Sequence, residues 1–147
     1  MKTPLQRVSA AFCASALLSA AVFADEPLIH PVTRITMSEG YAITVVQAAV
    51  TQRDDCVKAN QRFNDVVMSG CATCIVEESR CPTALAGNEL DAAYGRPLPE
   101  YSVVAGALRI IVTGRMDTVR AACEQIAANS QQQGVSNAAC LLPNMRP

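Results

Sequence analysis

One ten-residue stretch of this chain occurs twice, 62 positions apart, and a repeated unit has to build the same local structure twice. Val50-Thr-Gln-Arg-Asp-Asp-Cys-Val-Lys-Ala59 lies over Val112-Thr-Gly-Arg-Met-Asp-Thr-Val-Arg-Ala121. Val, Thr, Arg, Asp, Val and Ala coincide, and Lys58 falls on Arg120. Both copies read as a strand, a tight loop and a helix.

The strand of the first copy is Tyr41 to Thr51, rich in β-branched residues, with Val46, Ala48 and Val50 on one face and Gln47 and Thr51 on the other. In the second copy Leu108, Ile110 and Val112 share a face, while Arg109 and Thr113 point away. That alternation predicts an antiparallel sheet covered on one side only, with Val50 and Val112 buried and Gln47 and Arg109 in solvent. Asp55 and Asp117 stand where helix N-caps belong. Cys56, Ala59, Phe63, Val66 and Val67 follow at helical spacing, and so do Val119, Ala122, Cys123 and Ile126. A short strand after each helix, at Thr73–Glu77 and at Val135–Leu142, completes strand-helix-strand twice. The predicted fold is therefore a ferredoxin-like βαββαβ plait: α+β, a four-stranded antiparallel sheet with two helices on one face. A three-layer or thioredoxin-like variant is the alternative.

The remaining segments are read from composition. Lys2 and Arg7 precede an apolar run from Val8 to Ala21, and Val22-Phe-Ala24 offers small residues before Asp25. Residues 1–24 thus read as a cleaved secretory leader, without the residues of a lipoprotein signal around Cys13. Residues 25–38 read as an extended arm and 39–147 as a single domain, with pseudo-repeats at about 41–78 and 101–142. Between them 79–100 is a long loop holding Pro82, Gly87, Gly95, Pro97 and Pro99, with one helical turn around Glu89–Tyr94. The chain carries 12 basic and 13 acidic residues. Losing the leader removes Lys2 and Arg7, so the mature excess is acidic and offers no footprint for nucleic acid. No later run is long enough for a membrane span.

Of seven cysteines, Cys13 lies in the leader. The others (Cys56, Cys71, Cys74, Cys81, Cys123 and Cys140) form the even set of a disulfide framework, with about 15 complete connectivities. A first helix about 20 Å long separates Cys56 from Cys71 by more than a cystine spans. The returning strand brings Cys81 back towards Cys56, and Cys123 can face Cys140. Cys71 and Cys74 are left for each other, or for an exchange with Cys81.

Met68-Ser-Gly-Cys71-Ala-Thr-Cys74 also resembles the Met-x-Cys-x-x-Cys loop of the heavy-metal-associated domains that carry copper. The resemblance implies a periplasmic copper or thiol-redox carrier, with Met68, Cys71 and Cys74 as its site. The chain departs from that family in two ways. An extra residue separates Met68 from Cys71, and the cysteine pair closes the first helix, where the family's pair opens it. At a helix C-terminus the dipole raises a thiol pKa. Ala72-Thr73 is likewise neither the Gly-Pro nor the Pro-His of thioredoxin-like sites.

Other chemistry finds few residues. His30, the single histidine, lies in the arm. Glu77 and Glu78 are adjacent, so on a strand they point to opposite faces. Arg53-x-Asp55 and Arg115-x-Asp117 recur at the strand–helix turns, as capping pairs or as two small anion sites. The sequence thus predicts a small soluble protein of the periplasm or outside the cell. It is expected to have no enzymatic activity, metal or cofactor, and to act by binding another envelope or secreted protein as an inhibitor, immunity or accessory protein.

Overall fold

The computed structural model describes residues 26–147; the leader reading lies outside them. Local alternation builds two hairpins. β1 (Val32–Thr36) and β2 (Tyr41–Val46) are joined by a turn in which the Met37 N–H donates to Tyr41 O at 2.8 Å. β4 (Tyr101–Ala105) and β5 (Leu108–Gly114) are joined through Gly106, whose φ of +61° favours glycine. Each hairpin is followed by a long helix, α1 (Arg53–Gly70) or α3 (Met116–Gln132), and a strand, β3 (Ile75–Arg80) or β6 (Ala139–Leu141). A short α2 (Gly87–Ala93) lies between the halves.

The six strands form one antiparallel sheet in the order β3-β1-β2-β5-β4-β6. Six strands and three helices replace the expected four-stranded plait with two helices. The added strands are β1, inside the segment read as an arm, and β4, which precedes the repeated motif. Exchanging β1 with β4, β2 with β5 and β3 with β6 maps the strand order onto its reverse. The two halves are therefore related by a pseudo-twofold between β2 and β5.

The 62-residue offset holds from each helix to its following strand but not through the hairpin upstream of it. Residues 47–52 connect β2 to α1, whereas Arg115 alone connects β5 to α3. Val112 is 1% exposed and pairs with Ile43. Val50 is instead half-buried beyond the end of β2, bridging to Ile29. Val46 pairs with Arg109, so it points opposite to Val112 and not with it. A shift of one residue inverts every side chain of a strand.

One face carries α1 and α3 over Ile35, Ile43, Val45, Val103, Ile110 and Val112. The other was expected to face solvent; it is covered by α2 and the segment after it. Ala92 and Leu98 close over Val32, Val46 and Ile111. Leu98, 1% exposed, contributes about 1.5–3 kcal/mol by burial. Arg109, on that covered face, is 5% exposed and not in solvent.

Helix ends also differ from expectation. The N-caps are Gln52 and Arg115, neither with a side-chain cap bond. Asp55 and Asp117 sit three and two residues past their caps, in the first turn, where their charge complements the dipole.

The two long helices are seated differently. α3 buries Val119, Ala122, Cys123 and Ala127. α1 buries Cys56 and Asn60 alone, leaving Val57 and Val66 exposed. Asn60 is held on both ends of its amide. Its Oδ1 accepts from Thr33 Oγ1 and Gln47 Nε2, each at 3.2 Å, and its Nδ2 donates to Arg80 O at 2.9 Å. At the repeat-equivalent position α3 has Ala122. A polar network and a disulfide tether α1, where small apolar residues let α3 settle onto the sheet.

Candidate functional site

That asymmetry leaves space between the helices. No Cα of α1 lies within 8 Å of a Cα of α3, although both cover one sheet face. The gap is a groove of about 620 Å³ with a mostly apolar lining. Ala59, Phe63, Val66 and Val67 of α1 form one wall. Ile126, Asn129, Ser130 and Gln133, on α3 and just after it, form the other. Ile43, Leu108 and Ile110 make the floor. Arg62 is the single charged residue of the lining, its Nε donating to Lys58 O at 3.3 Å. Met37 and Cys71 stand at one end and also line an adjoining cavity of about 460 Å³. In that second cavity burial pushes the Tyr41 phenol up, and Glu39 adds to the shift. The size falls in the range of binding clefts, and the lining supplies shape and apolar surface around few polar groups.

The cysteines form three disulfides: Cys56–Cys81, Cys71–Cys74 and Cys123–Cys140, with Cα separations of 6.0, 5.5 and 5.4 Å. The first pins the start of α1 to the end of β3, and the third pins α3 to β6. Cys71–Cys74 closes the turn between α1 and β3, where the Cys74 N–H donates to Cys71 O at 3.4 Å. Met68, the methionine of the metal-loop resemblance, is 42% exposed one turn back on α1. The sulfur that approaches the pair is Met37, whose Sδ lies 3.4 Å from Cys74 Sγ.

The other candidates are dispersed. Arg115 pairs with Asp117 at 3.1 Å on an exposed surface, a geometry worth little. Arg53 and Asp55 lie exposed at the start of α1. Glu77 pairs with Arg34 at 2.9 Å and also accepts from Thr36. The Thr36 and Arg34 hydrogen bonds hold its carboxyl below the usual range. Glu78 pairs with Arg80 at 3.1 Å. The His30 backbone N–H donates to Pro82 O at 3.0 Å, while the imidazole Nδ1 is buried without a partner and burial lowers the ring's pKa.

Periodicity did not disclose the groove, because an apolar stripe looks the same whether a helix sits tightly or stands off. Asn60, one turn after Cys56 in the stripe of α1, was the available clue. Among the described residues no helix is long and apolar enough to cross a membrane. Comparison of the chain with family models, with curated proteins and with solved structures yields no match.

Proposed function

We propose that this is an exported, disulfide-bonded binding protein whose groove takes an amphipathic helix of another envelope or secreted protein. The observation that carries the reading is the apolar slot between two helices that share a sheet face with no Cα of one within 8 Å of a Cα of the other. A helix laid there with its apolar stripe inward uses a common mode of protein recognition. Lys58 and Arg62, one turn apart on α1, favour acidic residues flanking that stripe. The three disulfides support an oxidising compartment, where such bonds persist.

The test titrates the protein with fluorescent amphipathic helical peptides bearing acidic, neutral or basic flanks. Saturable one-to-one binding is expected, tightest for the acidic flank. Phe63→Asp and Ile126→Asp, inside the groove, should abolish it. Val57→Asp, exposed elsewhere on α1, should leave it unchanged. Binding that ignores the two groove substitutions would sink the assignment.

A further inference from the structure

The groove and its neighbouring cavity share Met37, Gly70, Cys71, Ile126 and Asn129, so they form one continuous channel. Its two parts carry opposite charges. Among the described residues Arg62 is the single charged one lining the groove, and Glu39 the single charged one lining the cavity. Neither belongs to an ion pair among those residues, whereas Glu77, Glu78, Glu89 and Asp91 all do. Glu39 sits in the β1–β2 turn, which is fixed by the Met37 N–H donating to Tyr41 O and the Gly40 N–H donating to Met37 O. Its field reaches the cavity, since it adds to burial in raising the pKa of the Tyr41 phenol.

The helix ends agree with that sign. α1 ends at Gly70, in the cavity lining, and has no basic residue in its last turn, so the negative end of its dipole is unanswered. The positive end of α3 also approaches, at Thr118, but Asp117 in its first turn complements it. The Tyr41 hydroxyl and the Gln125 and Asn129 amides each offer an oxygen that can accept a hydrogen bond. Met37 and Ile126 supply apolar surface for the stem of a long side chain.

We propose that this cavity is the anchor pocket of the groove and takes an arginine or lysine side chain of the bound helix, its head at Glu39. The inference rests on the helix-in-groove reading and adds the second half of the partner's charge pattern: an acid beside Arg62 and a base beside Gly70. About 12 Å of helix separates Arg62 from Gly70, so the two charges stand about seven residues apart, on one face of the partner. Arginine suits the pocket best, because its guanidinium meets a carboxylate through two parallel bonds. Glu39 is exposed, so the gain is modest and screened by salt.

The test titrates the protein with a fluorescent amphipathic helical peptide that bears Glu at the acid position. Arg, Gln or Glu stands about seven residues away, and each peptide is made in both orders, the tighter being used. The Arg peptide is expected to bind about five-fold more tightly than the Gln peptide at low salt, and the gain should vanish at about 1 M salt. Glu39→Gln should remove that gain and leave the affinity of the Gln peptide unchanged. Glu39→Arg should reverse the ranking in favour of the Glu peptide. Equal affinity of the Arg and Gln peptides for the parent protein overturns the anchor pocket, and so does a gain that survives Glu39→Gln. In either case, Gln-peptide binding that Phe63→Asp abolishes would leave the helix reading standing without the anchor. If no peptide binds, both fall.

Discussion

Arg109 is the residue whose burial costs most for what it gains. Its guanidinium reaches one protein partner, Ser102 Oγ, at 3.2 Å from Nε and 3.0 Å from Nη2. No carboxylate pairs with it among the described residues, and desolvation lowers its pKa. A buried charge without a counter-charge is more expensive than an apolar side chain of similar shape. Arg109→Met keeps the stem packing and should leave stability unchanged or raise it by about 1 kcal/mol, read from urea melts. Arg109→Asp should cost about 3 kcal/mol or more, since a shorter, unpaired carboxylate enters the same place. A clear loss of stability in the Met variant would mean that the guanidinium has a partner of its own. Alternation placed Arg109 correctly, opposite Ile110 and Val112. It could not say that α2 and Leu98 would cover that side as well.

At the scale of elements, α1 and α3 come from one repeated motif and end up with different attachments. α3 follows its apolar stripe onto β4, β5 and β6. α1 rests on Asn60, which ties β1, residue 47 and the end of β3 through one amide. Asn60→Ala takes the Asn60 bond from the Arg80 carbonyl and the Gln47 amide and leaves the Thr33 hydroxyl with Ser79 alone, with an expected loss of about 2–3 kcal/mol in denaturant melts. Because Asn60 also positions the groove wall, peptide binding should weaken with it. Ala122→Asn, the reciprocal change in α3, buries an amide with no matching network and should be at least as costly. Tolerance of Asn60→Ala would show that the disulfide alone seats the helix.

For the whole molecule, the disulfides order themselves by the length of chain each closes. Chain entropy assigns Cys56–Cys81 about 3.5 kcal/mol, Cys123–Cys140 about 3 and Cys71–Cys74 about 2. Paired Cys→Ala variants should therefore lose stability in that order, measured by urea denaturation without reductant. A Cys71/Cys74 variant that loses the most would give that bond the chief structural role. The first and third bonds each tie a long helix to the strand after it, one in each half. Covalent and pseudo-twofold architecture thus coincide.

What the sequence determined by itself was local. Helical spacing identified α1 and α3, alternation put Ile110 and Arg109 on opposite sides, and helix length separated Cys56 from Cys71. Each follows from the backbone geometry of one or two neighbouring elements. Tertiary structure alone decided that β1 and β4 extend the sheet to six strands, and that its second face is covered. It also put Met37, not Met68, beside Cys74. Those outcomes depend on pairing between segments far apart in the chain, and such pairing leaves no period in the sequence of either partner. The groove belongs to the same class: it exists because Asn60 finds partners on β1, β3 and residue 47, and only the assembled sheet brings those three together.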